Sequence, residues 1–268
     1  STYAQIRTDR LNRTPVLYTT MSQPATTTSP GYVVAAMTGL GAVALVVGIL
    51  VGTITYALIG VPLSLSPTGA AGQLLTNVGT YAAAAAAGGV YLLRHDLPLS
   101  YVRYRRPDIR DLAIAGGTIA GLLALAISIP PVVTRLGLPL AEHSIGETIE
   151  GNPTIALVFL PVSVLVVGPA EEFIYRGIIQ TRLQEVFDAG SAVAIAAVIF
   201  ASVHFLAYLD PGNVSGTIVT IAFLLLPLGA ILGSVYEYTE NLVVPALAHG
   251  LYNAITFGLT YAETVGLF

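Results

Sequence analysis

Two adjacent carboxylates, Glu171 and Glu172, with Arg176 four residues after the second, stand directly beyond Pro153–Val167, a run of fifteen residues without a charge. A charge near the middle of a bilayer costs several kcal/mol. Ionisable groups there therefore face the protein interior, pair with one another and serve a function. The chemistry open to such a carboxylate is general base catalysis, provided that a water and donors for a developing oxyanion come within reach.

The chain offers a small set of partners. The other deep ionisable side chains are His204 and His249, and Asn253 follows His249 by four residues on the same helix face. Phe200 and His204 share a face in the same way, and Glu172 and Arg176 form an i,i+4 pair. Taken singly, each has a plain structural role. A lone intramembrane histidine more often bonds a neighbouring helix than catalyses anything, and Asn253 alone would join helices. For Glu172 and Arg176 the role of a neutralised structural pair is the favoured one. Two carboxylates, two imidazoles and an amide at matched depth are expensive to bury together without a use.

Depth follows from helix rise. The fourth and fifth apolar runs form an antiparallel hairpin turning near Asp188-Ala189-Gly190. Glu171 lies 18 residues before Ala189 and His204 lies 15 after it, which is roughly 27 and 22 Å from the turn. The last run starts near Asn241, placing His249 and Asn253 roughly 12 and 18 Å in. The polar groups are expected to meet in the cytoplasmic half to middle of the bilayer, with water entering from the cytoplasm or through a lateral gap.

The elements that must hold them are membrane helices. The chain is 54% hydrophobic and only 10% charged, with a mean hydropathy of +0.78, far from the roughly 25% charge of a soluble domain. The fold class is all-α, a polytopic transmembrane bundle of about seven or eight spans. Seven stretches are long enough, at 32–60, 70–93, 112–136, 154–187, 191–209, 216–236 and 241–262. Residues 1–30 read as a flexible tail, with Met21 a candidate start. Residues 31–153 form peripheral helices, and 154–262 form a core carrying the polar set. Pro130-Pro131 should end or kink the third span and Pro227 should kink the sixth. The Ala-Gly face of the second, Ala82–Gly89, suits close helix packing.

All eleven basic residues are arginine. With seven spans, only Arg135 falls on the side opposite the rest, where Glu142, Glu147 and Glu150 make the loop at 137–153 acidic. The N-terminus and the 94–111 loop are therefore expected in the cytoplasm. With no cysteine and a net charge of −4, disulfides, thiolate chemistry and a nucleic-acid partner fall away. Asn213-Val214-Ser215 fits a glycosylation pattern, for which chance is the favoured reading.

In order, the polar residues spell Glu171-Glu172-x-x-x-Arg176, Phe200-x-x-x-His204 and His249-x-x-x-Asn253, with Tyr175 before the arginine and Gly177 after it. This pattern resembles the CPBP (CAAX protease and bacteriocin-processing, or Abi) family of intramembrane glutamic endopeptidases, over roughly 154–262. The resemblance implies a membrane-embedded endopeptidase that activates water without a metal or a covalent nucleophile. Glu171 would be the base and His204 would share the water, while His249 and Asn253 would donate to the oxyanion. Glu172, Arg176, Phe200 and Tyr175 would shape the site. It also implies a multi-pass protein of a prokaryotic plasma membrane, acting on a membrane protein or peptide, lipid-modified or not. No cofactor is expected. The alternatives are a zinc peptidase using the same Glu and His residues, and a non-proteolytic transporter or immunity-type protein.

Overall fold

In an apolar medium a backbone must satisfy its own hydrogen bonds, and helices do so within one segment. The computed structural model describes residues 29–267, in which every regular element is helical. The expected tail, Met21 and the three arginines ahead of the first span lie outside those residues.

Eight helices follow in order. They are α1 (Pro30–Gly60), α2 (Ala70–Arg94), α3 (Ile109–Arg135), the short α4 (Ile145–Gly151), α5 (Thr154–Leu183), α6 (Ala189–Tyr208), α7 (Val214–Thr239) and α8 (Val243–Thr264). Five of them, α1, α3, α5, α6 and α7, are long and apolar enough to cross a membrane. α2 and α8 have the length, with 25 and 22 residues, or about 37 and 33 Å. Both are less apolar: α2 carries Gln73, Thr76, Asn77 and Thr80, and α8 carries His249, Asn253, Thr256 and Thr260. α2 packs on α1 and α5, and α8 packs on α3, α5 and α7.

Prolines decide where three of these helices widen. A proline cannot donate to the carbonyl four residues back, and its ring crowds that carbonyl. At Pro62, Pro169 and Pro227 the preceding residue instead reaches back five: Val61 to Tyr56, Gly168 to Ser163 and Leu226 to Ile221. Each makes a single π-helical turn ending two residues before the proline. Pro227 is thus absorbed by a wider turn, and α3 continues past Pro130-Pro131 to Arg135. α5 carries a second π-helical stretch, Phe173–Gln180, immediately after the glutamate pair.

Glycines decide where the helices touch. A Cβ on Gly168 of α5 would sit 2.8 Å from the backbone of Ala246 and Gly250, and one on Gly250 of α8 would sit 2.7 Å from the Ser163 carbonyl oxygen. The two backbones are therefore in direct contact just before Glu171. Gly88, on the small-residue face of α2, lies against Phe173 and Ile178 of α5.

The α5–α6 hairpin turns where the spacing predicts. Asp188 caps α6, accepting from the Ser191 amide at 3.0 Å and its hydroxyl at 2.6 Å. The α7–α8 turn is sunk beneath the arginine-rich loop. Asn241 is fully buried and bonds Asp111 at 3.1 Å, Arg105 clamps Asp111 at 2.6 and 2.9 Å, and Leu242 donates to the Arg103 carbonyl. Asn213 caps α7 and also donates to the Leu140 carbonyl, a structural use for that side chain.

Candidate active site

The glycine contact between α5 and α8 carries Glu172 up to His249. Glu172 Oε1 accepts from His249 Nδ1 at 2.9 Å and from Arg176 Nη1 at 2.8 Å, and none of the three side chains is more than 5% exposed. Glu172 Oε2 has no partner among the described residues. Arg176 spends its second nitrogen on the Gly229 carbonyl of α7 at 2.9 Å, and its guanidinium lies 4.6 Å from the centre of the Phe200 ring. One turn later Gln180 donates to the Gly233 carbonyl at 2.9 Å. Two α5 side chains spaced i,i+4 thus grip two α7 carbonyls spaced i,i+4. The small residues at 229 and 233 let the helices come that close.

Glu171 faces a different pair. Its Oε1 lies 3.7 Å from His204 Nε2 and its Oε2 lies 3.8 Å from His249 Nε2. The other nitrogen of each ring is already committed. His204 Nδ1 is 2.7 Å from the Phe200 carbonyl, which only accepts, so Nδ1 carries a hydrogen. His249 Nδ1 donates to the Glu172 carboxylate. Both rings therefore turn Nε2 toward Glu171, with their tautomers fixed from behind. Distances just beyond a direct hydrogen bond suit groups that share one small molecule. Phe200 orders the assembly: its ring meets Tyr175 edge-on at 5.2 Å and lies 4.4 Å from the His204 ring.

Seven of the eight residues singled out from the sequence are thereby brought together. The eighth, Asn253, lies one turn beyond His249, half-buried, with no side-chain hydrogen bond among the described residues. Glu172–Arg176 is the neutralised pair expected, with the addition of His249. No group of three or more His, Asp or Glu is arranged to hold a metal ion among the described residues.

His204 is four residues from Tyr208, the end of α6, and roughly 22 Å from the Asp188 turn. The site therefore lies toward the acidic α3–α4 side and away from the arginine-rich loop. His249 is only six residues into α8, yet it reaches this level because the α7–α8 turn is itself sunk.

Residues 153–255 match the family model described as "Type II CAAX prenyl endopeptidase Rce1-like". That match supports a CPBP/CAAX protease assignment for the segment, which is less than half of the chain. An uncharacterized protein of Bacillus subtilis (strain 168), YpbD, is 34% identical over 91 residues, which are 34% of this chain and 40% of that protein. The aligned part is thus less than half of that relative. No solved structure gives a significant match.

The matched segment contains every residue singled out from the sequence. It leaves out two that the fold adds. Tyr81 of α2 comes close to Glu171, and His143, on the loop between α3 and α4, packs its ring against Tyr208, near enough to Glu171 and His204 for their charges to act on it. Neither has a spacing that ties it to the motifs. The signal for Gln180 was present: it continues the i,i+4 series of Glu172 and Arg176, opposite Gly229-x-x-x-Gly233.

Proposed function

We propose that the chain is an intramembrane endopeptidase in which Glu171 activates water for attack on a peptide bond. The observation that carries this reading is the placement of the Glu171 carboxylate between two imidazole Nε2 atoms, at 3.7 and 3.8 Å, whose tautomers are set by Phe200 and Glu172. Glu171 takes a proton from a water shared with His204. The hydroxide adds to the substrate carbonyl carbon, and the negative charge moves to the carbonyl oxygen. His249, held from behind by Glu172 at Nδ1, then serves as an oxyanion donor through Nε2 when that atom carries a hydrogen. The Asn253 amide, free of other partners among the described residues, is the second donor. The proton held by Glu171 passes through His204 to the amine nitrogen as the C–N bond breaks. Glu172, Arg176, Phe200 and Tyr175 position these groups.

The substrate is a membrane protein or membrane-borne peptide. An apolar groove of about 430 Å³ between α1 and α6 runs past Val203, Phe205 and Leu206, the neighbours of His204, and suits an apolar or lipid-modified part of it. No cofactor is required on this reading. A zinc peptidase using the same Glu and His residues is the alternative, which chelation tests. Profiling of protein C-termini in cells carrying wild type or Glu171→Gln tests the proposal. Cleavage products should vanish in the variant, and identical products would overturn it.

A further inference from the structure

The loop between α3 and α4 is tied down over the site. Ser144 donates to the Ala207 carbonyl at 2.8 Å. Ala141 exchanges bonds with the Thr220 hydroxyl at 3.0 and 3.1 Å, and Asn213 holds the Leu140 carbonyl at 3.0 Å. These ties bracket His143. Its ring stands edge-on to Tyr208 of α6, with centroids 4.9 Å apart at 78°. The Ile145 amide donates to its Nδ1 at 3.1 Å. A nitrogen that accepts carries no hydrogen, so the neutral ring holds its proton on Nε2.

Burial, and then the neighbouring His204, push the His143 imidazole down to about 4, against an opposing pull from Glu171. The ring is therefore neutral across the physiological range. It is also half-buried, so it is held in place without being sealed off. A neutral imidazole with an anchored acceptor side and an unprotonatable working range is a fixed single donor. No step of the hydrolysis uses it: base, proton relay and oxyanion donors all come from α5, α6 and α8.

We propose that His143 is a substrate-positioning residue, whose Nε2–H donates to a backbone carbonyl of the substrate as the chain enters beside Tyr208 toward Glu171. A substrate cleaved at one bond must be held in extended form on either side of it, and an extended chain exposes its carbonyls to such a donor. Fixing the tautomer through the loop's own backbone means that the donor is set before the substrate arrives.

The inference rests on the protease reading, and one experiment separates the two. Full-length wild type, Glu171→Gln, His143→Phe and His143→Gln are expressed at matched levels, and new protein C-termini in the membrane fraction are quantified over time. Phe keeps the ring against Tyr208 and removes the donor, whereas Gln restores an N–H at similar reach. Products should be absent with Glu171→Gln, form about tenfold more slowly with His143→Phe, and form within about threefold of the wild-type rate with His143→Gln. Wild-type rates with His143→Phe would overturn the donor role alone. A loss in His143→Gln as large as in His143→Phe would overturn it as well, because an N–H restored at similar reach would then bring nothing back. Equal products in wild type and Glu171→Gln would overturn the protease reading and this inference together.

Discussion

His249 donates to Glu172 through Nδ1 at 2.9 Å and faces Glu171 through Nε2 at 3.8 Å. One ring thus couples the two adjacent glutamates, each through a different nitrogen. Glu172 is shared with Arg176, so the Glu172–Arg176 pair is charge-balanced. A single additional proton among Glu171, His204 and His249 then leaves the whole buried cluster neutral.

The two glutamates should fail differently. Glu171→Gln is expected to lower cleavage by roughly 10²–10⁴-fold with little change in thermal midpoint. Glu172→Gln strips a buried arginine of its counter-charge, an effect of about 3–5 kcal/mol. Its larger effect should be on the midpoint. Parallel midpoints and cleavage rates for both variants check this, and a greater loss of cleavage in Glu172→Gln with an unchanged midpoint would reverse the assignment.

The glycine contact makes a second prediction. Gly168→Ala places a methyl 2.8 Å from the Gly250 nitrogen and the Ala246 carbonyl oxygen, and neither is a flexible side chain. The helices must part, at a cost of about 1–3 kcal/mol, and the Glu172–His249 bond must lengthen. Activity should fall by more than stability alone explains, and Gly258→Ala, with open space around its Cβ position, should leave both unchanged. Midpoints and rates measured on the two variants decide it.

Metal dependence is open to direct measurement. Chelator-treated, purified protein should keep its activity, and added zinc should not raise it. Loss on chelation with recovery on zinc addition would move the mechanism to the metal-assisted alternative.

A pH effect on stability should arise at the α5–α6 turn. The Ser191 hydroxyl and amide hold the Asp188 carboxyl below its ordinary value. A depressed folded value means that the stabilisation is fully present above the ordinary aspartate range and is lost as pH falls through the folded value. Asp188→Asn should flatten that acid-side decline. Thermal midpoints of both proteins across the acid range measure it.

Much of this arrangement was legible because membrane helices make depth a simple function of residue count. Glu171 and His204 were placed at one level by counting from Asp188, and they lie 3.7 Å apart. The face of the bundle was harder. Counting from Asn241 takes the α7–α8 turn to lie at the surface, whereas the Arg105–Asp111–Asn241 knot sinks it. The π-helical turns before Pro62, Pro169 and Pro227 follow a proline rule that could have been applied. The stretch at Phe173–Gln180 has no proline behind it, and nothing local announces it. Tyr81 and His143 reach the site by tertiary packing, so no sequence interval could tie them to it.

On the protease reading, the seat of His204 near the end of α6 limits what a substrate has to do. Four residues of 3₁₀-helix separate it from the end of α6, or about 8 Å. An extended chain covers that in two or three residues. A protein anchored in the same membrane need not unwind a buried helix to present a bond at that depth: a loose terminal tail of a few residues is long enough. Substrates would then be sorted by how freely their ends fray, and a fully helical, capped terminus would be protected by its own hydrogen bonds.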